Sequence, residues 1–112
     1  MSQITTHILD TTRGRPAAGV TIILSEQHET SWRELARGLT NADGRLPDLL
    51  PPTQHLLPGI YQLRFLTQAY FDELEVSAFY PFVEIGFTVN STEHYHVPLL
   101  LNPFGYSTYR GS

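Results

Sequence analysis

The sequence contains no cysteine and no lysine among its 112 residues. Without cysteine, the chain has no disulfide, no thiol nucleophile and no zinc site built on thiolates. All seven basic residues are arginines, and eleven acidic residues outnumber them, which gives a formal net charge of −4. An acidic chain lacks the basic surface that non-specific nucleic-acid binding requires, so we expect no nucleic-acid partner. Nothing in the sequence explains the absence of lysine.

Long apolar runs are missing as well. The longest are a handful of residues, far below the roughly 20 that span a bilayer as a helix. The N-terminal stretch MSQITTH carries neither the basic region nor the apolar region of a signal peptide. We therefore expect no membrane partner and a cytoplasmic location, with peroxisomal and periplasmic locations left open.

The length and composition favour a single domain over residues 1–112. Apolar residues make up 41% of the chain, which is enough to build one core. A domain of this size has little interior in which to form a deep pocket. If the protein is an enzyme, we expect its site to be shared between subunits.

Apolar and polar residues alternate along most of the chain, and eight prolines and eight glycines interrupt the pattern. Alternation with a period of two indicates short, half-buried strands. We therefore predict an all-β fold, a two-sheet antiparallel β-sandwich of seven to eight strands with one short helix at residues 68–77. Trp32, Tyr70 and Phe71 are expected to pack in its core. The predicted strands cover residues 4–10, 20–25, 32–40, 60–67, 83–89, 95–101 and 106–110.

Histidines interrupt the apolar alternation on two of these strands. His7 lies within the first strand and faces away from Ile4 and Ile8. His94 and His96 are one residue apart, so both side chains leave the strand on the same side, roughly 7 Å apart. This spacing occurs in metal sites, and a histidine is also a suitable general base near neutral pH. Spacing alone leaves open a structural role, a metal site completed by His7, and a catalytic role.

Arg45 directly follows the segment Asn41-Ala42-Asp43-Gly44, which is a strong turn signal because these residue types tolerate left-handed backbone. An arginine after a turn is ordinarily solvated. Its planar guanidinium is also suited to bind an anionic or imide-like ligand through two hydrogen bonds. Both interpretations stay open from the residues alone.

Three motifs in this order resemble those of the transthyretin-like 5-hydroxyisourate hydrolase family. They are THILD at residues 6–10 followed by GRPA at 14–17, TNADGR at 40–45, and HYHVPLLL at 94–101, which leads through GYST to YRGS at 109–112. The final YRGS is the family's signature, and it distinguishes these hydrolases from the thyroid-hormone carrier transthyretin, which is similar in fold. The resemblance covers essentially the whole chain. Asn102 and Phe104 depart from the commonest family pattern.

The resemblance implies an activity, an assembly and a site. The activity is hydrolysis of 5-hydroxyisourate, the product of urate oxidation, to 2-oxo-4-hydroxy-4-carboxy-5-ureidoimidazoline, with no metal and no organic cofactor. The assembly is a homotetramer, a dimer of dimers with its active sites at the dimer–dimer interface. The implied catalytic residues, which also bind substrate, are His7, Arg45 and His96. The further substrate-binding residues are Tyr109, Arg110, Gly111 and Ser112.

The residues suit this chemistry, and other functions are also consistent with them. On the hydrolase hypothesis, His7 and His96 bracket the substrate, one of them activates water, and Arg45 holds the substrate oxygens. One alternative is a carrier whose central channel holds a small aromatic ligand. A second is a metal site on His7, His94 and His96. A third, an adhesion or scaffold domain, leaves the three motifs unexplained.

Overall fold

The computed structural model describes residues 1–112, which form two β-sheets and one short helix. The elements are β1 (Ile4–Asp10), β2 (Arg15–Pro16), β3 (Thr21–His28), β4 (Ser31–Leu39), β5 (Arg45–Leu46), β6 (Gly59–Leu66), α1 (Thr67–Glu73), β7 (Val83–Val89), β8 (Tyr95–Asn102) and β9 (Gly105–Thr108). In the first sheet the strand order is β2-β1-β8-β9, with β5 also paired to β1. In the second sheet the order is β4-β3-β6-β7. The predicted mainly β sandwich with one helix is confirmed.

Alternation sends one set of side chains from each sheet into a shared core. Ile4 and Ile8 of β1 are fully buried, as are Leu63 and Phe65 of β6. They belong to a single cluster of 21 buried apolar residues. Burying one side chain of this kind contributes roughly 1.5–3 kcal/mol, so the core accounts for the packing of the two sheets. The opposite set of side chains on β1, which includes His7, is left on the outer face of the first sheet.

The first sheet differs from the prediction in the direction of one strand pair. β1 and β8 run parallel, with Ile4 opposite Tyr95 and Asp10 opposite Leu101. The expectation of a wholly antiparallel sandwich is wrong at this pair, because local alternation reports which face a residue occupies and not the direction of its neighbour. The two-residue strands β2 and β5 are also additional to the predicted set.

The helix is shorter than predicted. It ends at Glu73, and Glu75 adopts left-handed backbone with φ 57°. The N–H of Val76 donates to the carbonyl of Phe71, and the N–H of Glu75 donates to that of Asp72, which closes the helix end as a Schellman motif. Phe71 is buried as expected. With seven residues, α1 is too short to cross a membrane, and it is the only helix in the structure.

Trp32 does not pack in the core. It lies on β4, the edge strand of the second sheet, and is 41% exposed. The prediction that it anchors the core is therefore wrong. Large aromatic residues are buried often enough to make the expectation reasonable, but an edge strand has a neighbour on one side only. Tyr70, the other aromatic residue expected inside, is half-buried, and its hydroxyl donates to Asp10 at 2.7 Å.

Candidate active site

The parallel pairing of β1 with β8 brings histidines from distant parts of the chain to one surface. In this register Thr5 is aligned with His96, and His7 is aligned with Pro98. The rings of His7 and His96 stack almost parallel, at 9°, with their centroids 5.7 Å apart. Two of the three predicted catalytic residues thus stand in contact distance on the outer face of the first sheet.

Arg45 joins them through the turn that precedes it. β5 pairs with β1 so that Arg45 lies opposite His7. The side-chain oxygen of Asn41 accepts a hydrogen bond from the backbone N–H of Arg45 at 3.0 Å, which fixes the turn. Gly44 has φ +71°, and a Cβ there would lie 2.6 Å from the carbonyl oxygen of Ile8. Only glycine therefore lets this turn approach β1 closely enough to place Arg45 beside His7.

The cluster is positively charged at Arg45 and neutral at its imidazoles. The guanidinium of Arg45 makes no ion pair or hydrogen bond within the chain. Burial, and then the charge of Arg45, lower the pKa of His7 below its usual 6.5. Burial, followed by the neighbouring His7, Arg45 and His94, lowers the pKa of His96 in the same way. Both rings are consequently unprotonated at neutral pH, the state that a general base requires.

Two polar groups in the cluster have unusual hydrogen-bonding surroundings. Nδ1 of His7 is buried and has no hydrogen-bond partner. Leaving a buried polar atom unpaired costs roughly 1–3 kcal/mol, and a catalytic role is one explanation for such a group. The hydroxyl of Thr5 lies 2.7 Å from Nε2 of His94 and 2.7 Å from Nδ1 of His96. Sequence reasoning did not select Thr5, although alternation places it on the same face as His7.

His94 and His96 lie on one side of the chain, as their spacing predicts. Their ring centroids are 6.2 Å apart. His94 is exposed, whereas His96 is half-buried. No group of three or more His, Cys, Asp or Glu side chains in the structure is arranged to hold a metal ion, so His7, His94 and His96 do not form such a group.

The end of the chain returns to His96. The N–H of Gly111 donates to the carbonyl of His96 at 2.8 Å. A Cβ on Gly111 would lie 2.6 Å from Cδ2 of the His96 ring, so this glycine packs directly against the imidazole. Ser112 lines a groove of about 220 Å³ together with Arg45, His94 and His96. Gly111 and Ser112 are thus brought to the cluster.

Tyr109 and Arg110 lie on the other side of His96. They line a second groove, of about 280 Å³, between β7 and the end of the chain, and His96 borders this groove too. The guanidinium of Arg110 stacks over the ring of Tyr95 at 4.6 Å and forms an ion pair with Glu93. Tyr109 is 56% exposed. Their role in substrate binding stays a prediction.

This architecture is that of a transthyretin-like β-sandwich with an imidazole–guanidinium cluster on the outer face of one sheet. The sequence model of the HIUase/Transthyretin family matches residues 4–111, and the chain belongs to this family.

The proteins similar to this chain include both 5-hydroxyisourate hydrolases and a transthyretin. The mouse protein named 5-hydroxyisourate hydrolase is 49% identical over 114 residues, which cover 99% of this chain and 96% of the mouse protein. The solved structure of Klebsiella pneumoniae 5-hydroxyisourate hydrolase superposes with a TM-score of 0.86 at 38% identity, covering 97% of this chain and 98% of that one. The crystal structure of transthyretin from Sparus aurata gives a TM-score of 0.91 at 30% identity, covering 99% and 97%. The fold is therefore common to a 5-hydroxyisourate hydrolase and a transthyretin, and only the side chains of the site can distinguish their functions.

Proposed function

We propose that this chain is a 5-hydroxyisourate hydrolase, carried by a single domain over residues 1–112, that converts 5-hydroxyisourate to 2-oxo-4-hydroxy-4-carboxy-5-ureidoimidazoline. The observation that carries the proposal is the cluster in which His7 and His96 stack beside the unpaired guanidinium of Arg45. The identity with the mouse protein of that name supports the same substrate. The activity belongs to urate degradation, because this substrate is the product of urate oxidation.

The chemistry of the substrate matches the chemistry of the cluster. 5-Hydroxyisourate is rich in carbonyl oxygens, and its hydrolysis adds water to one carbonyl carbon. A neutral imidazole accepts the proton of that water, and a guanidinium stabilises the negative charge that develops on oxygen. A general base and a charge-stabilising donor each contribute roughly 10²- to 10⁴-fold to the rate. The lowered pKa values of His7 and His96 keep both imidazoles available as bases at neutral pH.

Each residue of the site then has a role. His7 and His96 bracket the reacting carbonyl, so that one takes the proton of water and the other orients the water or relays the proton. Arg45 binds the substrate oxygens. Gly111 keeps the end of the chain against His96, and Ser112 completes the groove wall. Substrate contacts from Tyr109 and Arg110 complete the proposed set, and the scheme uses no metal and no organic cofactor.

We propose in addition that the chain assembles as a homotetramer with its sites at the dimer–dimer interface. The cluster lies on the open outer face of a sheet, so a second copy placed over that face would exclude water and strengthen the electrostatics of the site. Multi-angle light scattering at assay concentration tests the assembly, and a monomer with full activity would refute it. We also place the activity in the cytoplasm.

The activity is tested by following absorbance after 5-hydroxyisourate is generated freshly from urate. We expect the protein to accelerate loss of the substrate well above its spontaneous decay. An unchanged decay would favour the second candidate, a carrier of a small aromatic ligand, which the TM-score of 0.91 with Sparus aurata transthyretin supports. Calorimetric titration with planar aromatic ligands would then show saturable binding without turnover.

A further inference from the structure

The hydroxyl of Thr5 stands between two imidazole rings. Its oxygen lies 2.7 Å from Nε2 of His94 and 2.7 Å from Nδ1 of His96. A hydroxyl has one hydrogen to donate and two lone pairs that accept, so Thr5 cannot donate to both rings. At least one of the two ring nitrogens must therefore carry a hydrogen and donate it to Thr5.

The position of His96 indicates which of these two ring nitrogens donates a hydrogen to Thr5. Its Nδ1 faces Thr5, and the ring borders the groove that also contains Arg45. For His96 to act as a base on water in that groove, the lone pair must be on Nε2, and a neutral imidazole then carries its hydrogen on Nδ1. The Nδ1–H of His96 donates to the oxygen of Thr5, and the Thr5 hydroxyl is left to donate to Nε2 of His94. In this arrangement each of the two short contacts has one donor and one acceptor.

We propose that Thr5 is a positioning residue that holds His96 in the tautomer with hydrogen on Nδ1, while His94 fixes the direction of the Thr5 hydroxyl. Nε2 of His96 then accepts a proton from water as the oxygen of that water bonds to the substrate carbonyl carbon. The resulting imidazolium keeps its Nδ1–H on Thr5 until the Nε2 proton passes to the leaving nitrogen. The choice of tautomer and its catalytic consequence both rest on the proposed function, whereas the measurement of the tautomer needs no substrate.

The surroundings of Thr5 suit this role. Thr5 is 7% exposed and lies directly opposite His96 in the parallel register of β1 and β8. Its β-branched side chain has few χ1 rotamers, which restricts the position of the hydroxyl oxygen. His94 is exposed, and its ring centroid lies 6.2 Å from that of His96. Both rings contact the hydroxyl of Thr5. We therefore expect His94→Ala to reduce activity less than loss of the Thr5 hydroxyl.

Thr5→Val and Thr5→Ser provide the test, because valine keeps the shape without the hydroxyl and serine keeps the hydroxyl. Thr21→Val, a matched change in the second sheet, is the control. The first readout is ¹⁵N NMR of the histidine rings, assigned with His94→Gln and His96→Gln. We expect hydrogen on Nδ1 of His96 in the wild type and in Thr5→Ser, and its loss from Nδ1 in Thr5→Val.

The second readout is turnover of 5-hydroxyisourate. We expect Thr5→Val to lower kcat roughly 10- to 100-fold with KM little changed, and Thr5→Ser and Thr21→Val to stay near the wild type. Wild-type tautomer or wild-type kcat in Thr5→Val would overturn the proposal. If Thr5→Val does not fold, Thr5→Ala replaces it in the same comparison with Thr5→Ser.

The two readouts separate failure of this proposal from failure of the proposed function. A wild-type protein that does not accelerate loss of 5-hydroxyisourate would refute the function. The NMR comparison would still decide the tautomer, since it needs no substrate. Hydrogen on Nε2 of His96 in the wild type would overturn the role of Thr5 even in an active enzyme.

Discussion

The two sheets differ in whether the arginines compared on them have a carboxylate partner. On the second sheet each arginine lies against a carboxylate. The pairs are Arg33–Glu26, Arg37–Glu34 and Arg64–Glu84. On the first sheet Arg45 has no carboxylate partner and stands beside the imidazoles of His7 and His96.

This difference distinguishes the arginines held in surface ion pairs from the arginine of the candidate site. An exposed ion pair contributes only about 0–1 kcal/mol, so the pairs on the second sheet do little for stability, but they leave its arginines no free charge for a ligand. The guanidinium donors of Arg45 have no partner within the chain, and burial together with the charge of Arg45 lowers the pKa of both His7 and His96, so these imidazoles stay neutral. An unpaired cation next to neutral bases is the feature on which we base the proposed active site on this face.

The largest effect is expected from removing an imidazole on the first sheet. His7→Ala and His96→Ala should each lower kcat/KM by at least about 100-fold with the fold intact, because each removes a proton-transfer group from the cluster. Steady-state kinetics on 5-hydroxyisourate, with circular dichroism to check the fold, measure this. His28→Ala, an exposed histidine on the second sheet, is the control. Activity near that of the wild type in either variant would remove that histidine from the mechanism.

A second prediction concerns the turn that sets Arg45 beside β1. Gly44→Ala should lower the free energy of unfolding by about 2–3 kcal/mol, since it combines left-handed backbone with a clash against the carbonyl of Ile8. Gly14→Ala is the matched control, because Gly14 has φ +66° and no atom within 4 Å of the added Cβ. The difference in the free energy of unfolding between the two variants, measured by urea denaturation, gives the cost of the clash with the carbonyl of Ile8. Equal losses would mean that the clash contributes nothing.

The end of the chain gives a third prediction. Gly111→Ala should reduce kcat/KM by roughly 10-fold, because the added methyl group displaces the His96 ring that it would touch. Its effect on stability should be small, since the added Cβ meets the imidazole side chain of His96, which can move, rather than a backbone atom. Gly105→Ala, where the added Cβ meets only ordinary contacts with Asn102, should change neither quantity. Full activity in Gly111→Ala would show that contact with the chain end does not position His96.

A gradual effect of pH on stability is the fourth and smallest expectation. The pKa values of His7 and His96 are lowered from 6.5 in the folded chain, so the unfolded chain binds more protons below that pH. The free energy of unfolding should therefore decrease as pH falls from 6.5 towards about 5, a range above the titration of ordinary carboxylates. His96→Gln should flatten this dependence, and His28→Gln should leave it unchanged. A pH dependence that is the same in both variants would contradict the assignment to His96.

Much of the fold was predictable because strand alternation is a local property. It placed His7 on the face opposite Ile4 and Ile8 from nearby residues alone. The parallel direction of β1 and β8 was not predictable in this way, since it depends on pairing residues about ninety positions apart. The left-handed backbone at Glu75, which ends the helix, was also not predictable from the sequence, because that conformation is uncommon in residues other than glycine.

The candidate site was likewise predictable only in part from local sequence. Spacing left the roles of His7, His96 and Arg45 open, and only the family resemblance grouped them. The structure brings them together through the β1–β8 and β1–β5 pairings. The bridge made by Thr5 depends on that long-range register, so no local signal could reveal it.

The most direct test of the central claim compares one arginine from each sheet. Rates of 5-hydroxyisourate hydrolysis should be measured for Arg45→Ala and for Arg37→Ala, which is exposed and ion-paired with Glu34. The unpaired charge on the first sheet predicts a loss of at least about 100-fold in kcat/KM for Arg45→Ala and a rate near that of the wild type for Arg37→Ala. Equal rates in the two variants would contradict the claim that the unpaired guanidinium beside His7 and His96 is the working part of the molecule.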